Sequence, residues 1–416
     1  MDQKEKDFIG RNSITAAYII CTENCNLRCT YCFERKSRTV ANSMSIEVAK
    51  ATVDMVLNNA KIKNETLGTE YGKSSRGTAA DITFFGGEPT LRPLFMLEVL
   101  EYGYEKSKEL NTPISFSIIT NGTIYTDEYE KFLERWVELS DGNVHVQLSI
   151  DGTPDIQDAN RPCVNCELKS SKLLEETVPK YIDFYKRHNL NMGQLTIHAC
   201  VSKKSINNIY NSYRYFVENL HIMDSYFAWV IEDDWDDDDV ITLDEEMAKV
   251  IRYLSNRTDN VRRFPFKRFD QCSGCSAGRV IVCVDADGYI YPCHRFFFFD
   301  RENKDLVLGN ILDKDLDLLH SEKRKPYIDF DITQIKDICQ ICMATNYECT
   351  GSLYNRPNDY DARFMAVLNE WYAVYSDNCE RKFLANQIIN LRKDVQYLKQ
   401  VIKDNGLTLN TETKTE

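Results

Sequence analysis

The first two thirds of the chain alternate between short apolar segments and longer amphipathic ones. Polar stretches such as Ser45–Asn59 and Asp127–Leu139 repeat apolar residues at helical spacing. Between such stretches, short and often β-branched runs predict six strands: Ile14–Cys21, Asp81–Phe85, Ile114–Thr120, His145–Ile150, Gln194–Val201 and Ser225–Val230. Strands that alternate with helices predict an α/β fold, and six repeats predict a partial (β/α)6 TIM-like barrel with its functional residues at the carboxyl ends of the strands.

The pattern changes after about residue 260, where the chain becomes rich in cysteine and turns. The letters "DADG" between the apolar runs "RVIVCV" and "YIYPC" predict a β-hairpin. From Glu380 to Asp404 a three-four apolar repeat predicts a C-terminal helix that docks on the protein's own body, with dimerisation as the alternative. The predicted divisions are an N-terminal segment (1–13), the barrel (14–260), the cysteine-rich extension (261–379), the C-terminal helix (380–405) and a disordered tail (406–416).

Composition and charge argue against several classes of protein, namely membrane, secreted and nucleic-acid-binding proteins. A hydrophobic content of 43% and a charged content of 28% are typical of a globular protein. No apolar run approaches the length of a membrane span, and the start "MDQKEKDFIGRN" lacks the apolar core of a secretory signal, so we expect a cytoplasmic location and no membrane partner. The net charge of −13 argues against a nucleic-acid partner, because neutralising phosphates requires a basic surface.

The fifteen cysteines fall mainly into an early and a late region, and their odd number does not suit a fully paired disulfide set. In the stretch "CNLRCTYCFE", Cys25, Cys29 and Cys32 follow the first predicted strand in a Cys-x3-Cys-x2-Cys pattern. Three thiolates can hold an iron–sulfur cube and leave one iron open. Structural zinc requires four ligands and would recruit Cys21, which we place in the strand as a core thiol.

With these cysteines the chain resembles the radical S-adenosylmethionine (SAM) enzymes. Their hallmark is this cysteine pattern with an aromatic residue, here Tyr31, before the last cysteine. Three further motifs fit: "GGEP" at Gly86–Pro89, "TNG" at Thr120–Gly122 and "SIDG" at Ser149–Gly152. In this family one electron from a 4Fe–4S cluster cleaves the SAM bound to its open iron, and the resulting 5′-deoxyadenosyl radical abstracts hydrogen from a substrate.

The resemblance implies roles for individual residues. Cys25, Cys29 and Cys32 would bind the 4Fe–4S cluster. Glu88 would face the amino group of SAM, since a carboxylate can pair with an ammonium group. The full set expected to contact SAM is Gly86, Gly87, Glu88, Pro89, Asn121, Ser149, Asp151 and Arg161.

The stretch "CSGCSAGRVIVCVDADGYIYPCHRF" resembles the SPASM extension of peptide-modifying radical SAM enzymes, which holds two auxiliary 4Fe–4S clusters. The resemblance assigns one cluster to Cys339, Cys342, Cys349 and Cys379, and the other to Cys272, Cys275 and Cys293. Relatives often return a further cysteine where this chain has Leu353, so the second set leaves an iron open that can bind a substrate thiolate. For Cys283, inside an apolar run, we expect a core role, with ligation as the alternative.

Three further features carry hypotheses. His294 is a candidate catalytic residue, because it stands where sulfatase-maturating relatives usually carry an aspartate base; its presence argues against a simple serine or cysteine dehydrogenase. Cys163 and Cys166 are either incidental loop thiols or a metal-binding or redox pair. The acidic run Ile231–Val240 follows the sixth predicted strand and is either a solvated loop or an electrostatic guide for a basic leader peptide.

Together these features predict a radical SAM peptide-modifying oxidoreductase. We expect it to form a thioether crosslink in a ribosomally made precursor peptide, with flavodoxin or ferredoxin as reductant. The alternatives are a carbon–carbon crosslinking (cyclophane-type) maturase, a sulfatase-maturating-type dehydrogenase and a non-catalytic zinc-binding scaffold. Only about two dozen residues precede Cys25, fewer than the winged-helix domain of some relatives requires. Leader recognition is therefore expected from a separate leader-peptide-binding protein or from the body of this one.

Overall fold

The computed structural model describes residues 1–34, 41–69, 78–164, 168–257, 264–266, 275–331, 342–355, 359–360 and 362–377. Its strands are β1 (Ala16–Thr22), β2 (Ala80–Gly86), β3 (Ile114–Thr120), β4 (His145–Ser149), β5 (Leu195–Val201), β6 (Ser225–Trp229), β7 (Ile281–Val284), β8 (Tyr289–Tyr291) and β9 (Gly309–Asn310). Its helices are α1 (Gln3–Asn12), α2 (Ile46–Leu67), α3 (Pro93–Leu110), α4 (Asp127–Ser140), α5 (Pro154–Asn160), α6 (Ser170–Arg187), α7 (Ile209–Glu218), α8 (Asp237–Asn256), α9 (His294–Asp300), α10 (Lys325–Ile328), α11 (Met343–Thr350) and α12 (362–377).

All described strands belong to one sheet, in the order β6-β5-β4-β3-β2-β1-β7-β8-β9. The first six are parallel neighbours joined by helices, as expected for a partial barrel, and each begins and ends within two residues of its predicted bounds. Strand β7 of the extension pairs with β1 in parallel, and β8 and β9 follow antiparallel. The α/β fold with a partial barrel and a SPASM hairpin is therefore confirmed. The predicted helix 380–405 and tail 406–416 lie outside the described residues.

Alternation along the strands separates the core from the inner surface of the barrel. In β3, Ile114, Phe116 and Ile118 are buried, while Ile119 between two buried positions faces an internal cavity. Each aliphatic or aromatic side chain removed from water in this way contributes about 1.5–3 kcal/mol. The apolar side thus stabilises the fold, and the other side is left for function.

The hairpin of the extension depends on its turn. The Asp285 carboxylate accepts hydrogen bonds from the backbone N–H groups of Asp287 (3.0 Å) and Tyr289 (2.8 Å). Gly288 adopts φ +85°, which side chains of L-residues rarely tolerate, and an added Cβ would lie 2.9 Å from Asn310 Oδ1. This turn fixes the return of β8 and so the position of Cys293, which directly precedes α9.

Strand β6 at the outer edge of the sheet is covered. The backbone N–H of Phe227 donates to the carbonyl of Pro265 (2.8 Å). Phe364 of α12 packs against Trp229 (4.8 Å between ring centroids) and Trp235 (5.0 Å). These contacts shield an otherwise open sheet edge. None of the helices in the described part of the chain has both the length and the apolar character required to cross a membrane.

Candidate active site

A cavity of about 570 Å³ opens at the carboxyl ends of the barrel strands. The loop after β1 lines it with Cys25, Cys29 and Cys32, and the extension lines it with a different set of side chains: His294, Arg295, Cys342 and Thr345. The two cysteine-rich regions recognised in the sequence therefore border the same space.

The loop that carries the first three cysteines is held by the end of α5 and the residues that follow it. Backbone N–H groups of Arg28 and Thr30 donate to the carbonyls of Pro162 (2.8 Å) and Asn160 (2.7 Å). Burial raises the pKa of the Cys25 thiol to about 12, so a bound cation is required to keep this sulfur a thiolate at neutral pH. Three thiols on one ordered loop, facing a cavity, fit a cube with three protein ligands.

The two glycines of the GGEP motif let the end of β2 approach this loop. Gly86 adopts φ +123°, and an added Cβ would lie 2.4 Å from the carbonyl oxygen of Thr22. A Cβ on Gly87 would lie 2.2 Å from the carbonyl oxygen of Asn24. Both glycines line the cavity, so the motif places bare backbone beside the cysteine loop.

Glu88 is 1% exposed and joins the ends of two strands. Its Oε1 accepts from Thr90 N (3.0 Å), Thr90 Oγ1 (2.6 Å) and Thr120 Oγ1 (2.6 Å), and its Oε2 accepts from the backbone N–H of Asn121 (2.7 Å). Burial raises its pKa, while these donors favour the ionised form. The carboxylate lines the cavity, and Pro89 begins a short 3-10 turn behind it.

Asn121 connects the end of β3 to the cysteine loop. Its Nδ2 donates to Asn26 Oδ1 (2.9 Å) and lies 3.8 Å from the sulfur of Cys25. The backbone N–H of Leu27 also donates to that sulfur at 3.4 Å. Donors to a ligating sulfur are one means by which a protein tunes an iron–sulfur cluster.

Asp151 is buried behind the cavity wall and joins four elements. Its Oδ1 lies 3.0 Å from Arg161 Nε in a buried ion pair. It also accepts hydrogen bonds from Tyr31 Oη (2.5 Å), Asn160 Nδ2 (3.1 Å) and the backbone N–H of Cys200 (2.9 Å). The guanidinium of Arg161 is thereby fixed at the cavity, 3.9 Å from the sulfurs of both Cys29 and Cys200. Ser149, at the end of β4, lines the cavity beside it.

The extension presents His294 to the cavity within a group of aromatic rings. The imidazole centroid lies 4.6 Å from Tyr18, 4.9 Å from Phe85 and 5.8 Å from Phe33. Among the described residues its Nδ1 has no hydrogen-bond partner. Burial, together with the neighbouring Arg295, lowers the pKa of His294 to about 3, so the imidazole is neutral near pH 7.

The remaining cysteines divide by environment. Cys21 in β1 and Cys283 in β7 are fully buried, as expected of core thiols. Cys163 is half-buried, and its backbone pairs with Leu27 of the cysteine loop. Cys275 and Cys293 are half-buried free thiols outside the cavity lining, and Cys349 is exposed on α11. The predicted ligands Cys272, Cys339 and Cys379, and also Cys166, lie outside the described residues.

Several side chains of the acidic run after β6 form a helix cap and ion pairs. Asp236 caps α8 in a reciprocal arrangement with Asp239. Lys203 Nζ lies 2.6 Å from Asp236 and 3.2 Å from Asp239, and Asp237 pairs with Arg363 at 2.6 Å. These contacts favour a structural role for the run.

Several cavity residues were missed by reasoning from the sequence. They occupy inward-facing positions on the barrel strands: Tyr18, Gln147, His198, Cys200 and Tyr226. Within the run "LTIHACV" of β5, the alternation of apolar residues with Thr196, His198 and Cys200 indicates that these three share one face of the strand. That this face lines a cavity follows only from closure of the barrel.

Comparison with known proteins agrees with these features. Residues 19–169 match the radical SAM superfamily, and residues 272–343 match the iron-sulfur cluster-binding domain SPASM. The cysteine-type anaerobic sulfatase-maturating enzyme of Clostridium perfringens is 25% identical over 404 residues, covering 90% of this chain and 97% of that protein.

Solved structures share the fold. Native anSMEcpe with bound AdoMet superposes with a TM-score of 0.63 at 22% identity, covering 87% of this chain and 99% of that one. Streptococcus suis SuiB bound to precursor peptide SuiA gives a TM-score of 0.54 at 16% identity, covering 85% and 77% of the two chains. The matched ranges contain the cysteine loop, the GGEP motif and the hairpin with Cys293. This chain therefore carries a radical SAM domain followed by a SPASM domain and is similar to the anaerobic sulfatase-maturating enzymes.

Proposed function

We propose that this radical SAM enzyme binds a cysteine-bearing peptide in its cavity and joins the cysteine sulfur to a carbon of another residue as a thioether. One observation carries the proposal: the cysteine loop of the barrel and the His294–Thr345 side of the extension border a single cavity of about 570 Å³. A volume of this size is typical of a small-molecule site. A short peptide segment held there is near both cysteine-rich regions at once.

The residues present fit the cofactors that the family implies. Cys25, Cys29 and Cys32 would hold the SAM-binding cluster, and thiols of the extension would hold the auxiliary clusters. When bound, these groups supply a 5′-deoxyadenosyl radical and an acceptor for the electron released on ring closure.

The chain's own groups orient SAM. Arg161, fixed by its ion pair with Asp151, faces the cavity beside Cys29 and can pair with a carboxylate. Glu88 lines the cavity beside two glycines that leave room for a close backbone contact with an amino group. These residues, with Asn121 and Ser149, form a polar surface around one end of the cavity.

The reaction balances with SAM as the oxidant, because cleavage of SAM takes up one electron from the reductant and formation of the carbon–sulfur bond releases one. A carbon of the peptide loses one hydrogen atom to the 5′-deoxyadenosyl radical, the cysteine thiol loses its proton, and one electron passes to the acceptor as the carbon–sulfur bond forms. Aromatic residues packed around His294 give this part of the cavity an apolar lining.

Anaerobic assays with SAM and dithionite test the proposal. The substrates are peptides encoded beside the gene, plus a synthetic panel with one cysteine per peptide and the same panel with serine instead. We expect a product that has lost two hydrogens, retains sulfur and no longer reacts with an alkylating reagent, from the cysteine peptides alone. Modification that persists in serine peptides as a crosslink would instead indicate carbon–carbon bond formation.

A sulfatase-maturating-type dehydrogenase is the second candidate, favoured by the 25% identity to such an enzyme over 90% of this chain. The same assay separates the two, because that reaction yields an aldehyde and removes the sulfur of cysteine. In this chain His294 stands where such relatives usually carry an aspartate. We therefore expect no aldehyde from either panel.

The expected reductant, leader-binding partner and location are those predicted from the sequence. A flavodoxin or ferredoxin as reductant, a separate leader-peptide-binding protein and a cytoplasmic location all belong to this proposal. Pull-down of the native protein with the precursor peptide, with and without the neighbouring gene products, tests the leader-binding partner.

A further inference from the structure

We infer that Gln147, held in place by Tyr226, selects the substrate by binding a side-chain carboxamide of the peptide, from asparagine or glutamine, inside the barrel. The inference rests on the proposed peptide substrate, but it does not depend on which bond the enzyme forms. It assigns a function to inward-facing residues of the barrel strands that the cysteine loop and the GGEP motif do not use.

The interior of this barrel is polar where barrels usually pack apolar side chains. Gln147 of β4, His198 of β5 and Tyr226 of β6 are half-buried and alternate with buried neighbours, so they share the inner face of the sheet. The interiors of such barrels are usually filled by layers of Val, Ile and Leu. All three polar side chains line the cavity, which therefore continues down into the barrel.

Gln147 lies deeper in the barrel than the residues expected to contact SAM. It precedes Ser149 by two positions on β4, which is about 7 Å along the strand away from the carboxyl end. Ser149 pairs in register with His198, and His198 pairs with Tyr226. A peptide held at the carboxyl ends of the strands can reach this depth with a side chain, without inserting its backbone.

Tyr226 fixes the orientation of the Gln147 carboxamide. Tyr226 Oη donates to Gln147 Oε1 at 2.5 Å, and the His198 imidazole packs against the Tyr226 ring with centroids 4.6 Å apart. Among the described residues no group accepts a hydrogen bond from Gln147 Nε2. Gln147 therefore offers two oriented N–H donors on the cavity lining, and the matching ligand group is an oxygen acceptor.

Charge decides which oxygen acceptor fits. Asp81 lies on the same face of β2 as Phe85 of the cavity lining, and its carboxylate accepts from Ser115 Oγ at 2.7 Å. A second carboxylate in this interior would be repelled by Asp81 and would lose its hydration. Lysine and arginine side chains carry only donors, which would face the donors of Gln147. A neutral carboxamide supplies the oxygen without a charge.

Peptide binding without turnover tests the inference. Full-length protein, reconstituted with iron and sulfide and supplied with SAM but no reductant, is titrated with fluorescent hexapeptides. Each has one cysteine and carries Asn, Gln, Asp, Lys or Leu at each other position in turn. We expect the Asn and Gln peptides to bind most tightly. In Gln147→Leu these peptides should bind about three- to tenfold more weakly, as for the loss of one hydrogen bond, and the preference should disappear.

Three further variants separate ligand selection from a structural role. Tyr226→Phe should weaken the preference less than Gln147→Leu, because it releases the carboxamide without removing it. Gln147→Glu replaces the N–H donors with an acceptor and should move the preference to the Lys peptides. The matched control is Thr83→Val, which removes a hydrogen bond of 2.9 Å to Ser117 outside the cavity lining and should keep the native preference.

The inference is overturned if the native protein binds all the peptides equally or binds none, or if Gln147→Leu retains the native preference. Weaker SAM binding in Gln147→Leu with an unchanged peptide preference would place the residue at the cofactor and overturn it as well. If Gln147→Leu does not fold, Gln147→Glu and Tyr226→Phe decide the same question. A native protein that prefers Asn or Gln peptides, but forms no carbon–sulfur bond once dithionite is added, contradicts the proposed reaction alone.

Discussion

Two walls of one cavity hold their polar groups in different ways. The barrel wall satisfies them internally: Glu88 accepts from two threonines and a backbone N–H, and Asp151 holds Arg161 in a buried ion pair. The extension contributes His294, which lies among aromatic rings of the barrel and has no hydrogen-bond partner for its Nδ1 among the described residues. The barrel wall therefore holds its charged groups in fixed positions through protein partners, whereas the extension contributes the side chain with this unpaired ring nitrogen.

The largest expected effect removes the cluster of the barrel wall and leaves the metal of the extension wall in place. Changing Cys25, Cys29 and Cys32 together to alanine should abolish formation of 5′-deoxyadenosine from SAM under dithionite, because the loop then offers no thiolate for the cluster. Iron should fall by about four per chain, from about twelve, since the extension keeps its own metal. Iron analysis and chromatography of the cleavage reaction measure both.

The matched control for that variant is Cys21→Ala, which removes a fully buried thiol of β1 outside the cavity lining. It should retain all iron and SAM cleavage. Residual SAM cleavage in the triple variant would contradict the assignment of these three cysteines. Zinc in place of iron in the native protein would favour the non-catalytic scaffold.

The sequence predicted the barrel wall much better than the extension wall. Strand β3 was located to the residue, because alternating apolar residues bounded by turns are a local signal. The cysteine loop and GGEP were recognised because each motif is contiguous. Cys200 was missed as a cavity residue because facing inward depends on barrel closure.

The second prediction concerns the buried ion pair of the barrel wall. Asp151→Asn should lower the free energy of unfolding by about 3–5 kcal/mol, because it leaves the buried Arg161 without its counter-charge. SAM cleavage should fall as well, since Arg161 would no longer be fixed beside Cys29. Denaturant unfolding and single-turnover cleavage measure the two effects. Asp155→Asn, on the exposed start of α5, should change stability by no more than about 0.5 kcal/mol.

A third change tests whether the close approach of Gly87 to the backbone of Asn24 shapes the site. Gly87→Ala adds a methyl group 2.2 Å from the carbonyl oxygen of Asn24, so the backbone must shift. We expect a loss of about 1–3 kcal/mol in stability and weaker SAM binding. Gly68→Ala is the comparison: it has φ +62° but open space around it, and should cost about 1 kcal/mol without affecting SAM. Equal SAM affinity in the two variants would show that the close approach does not shape the site.

The smallest effect concerns the acidic run beside the cavity mouth. Asp236→Ala should lower the Tm slightly, because the side chain caps α8 through the N–H groups of Asp238 and Asp239 and pairs with Lys203. Lys203 and the cap lower the pKa of Asp236, so its contribution is present at neutral pH and is lost as the pH falls through that lowered value. The Tm difference from the native protein should therefore shrink below about pH 4.

Neutralising Asp238, whose carboxylate takes no part in the cap, distinguishes structure from peptide guidance. If the run only builds α8, Asp238→Asn leaves both the Tm and the affinity for a basic leader peptide unchanged, and Asp236→Ala changes the Tm alone. If the run attracts the peptide, both variants weaken binding, and more so at low salt, because the attraction would come from charge that ions screen. The pairs with Lys203 and Arg363 already offset part of that charge, so we expect the first outcome.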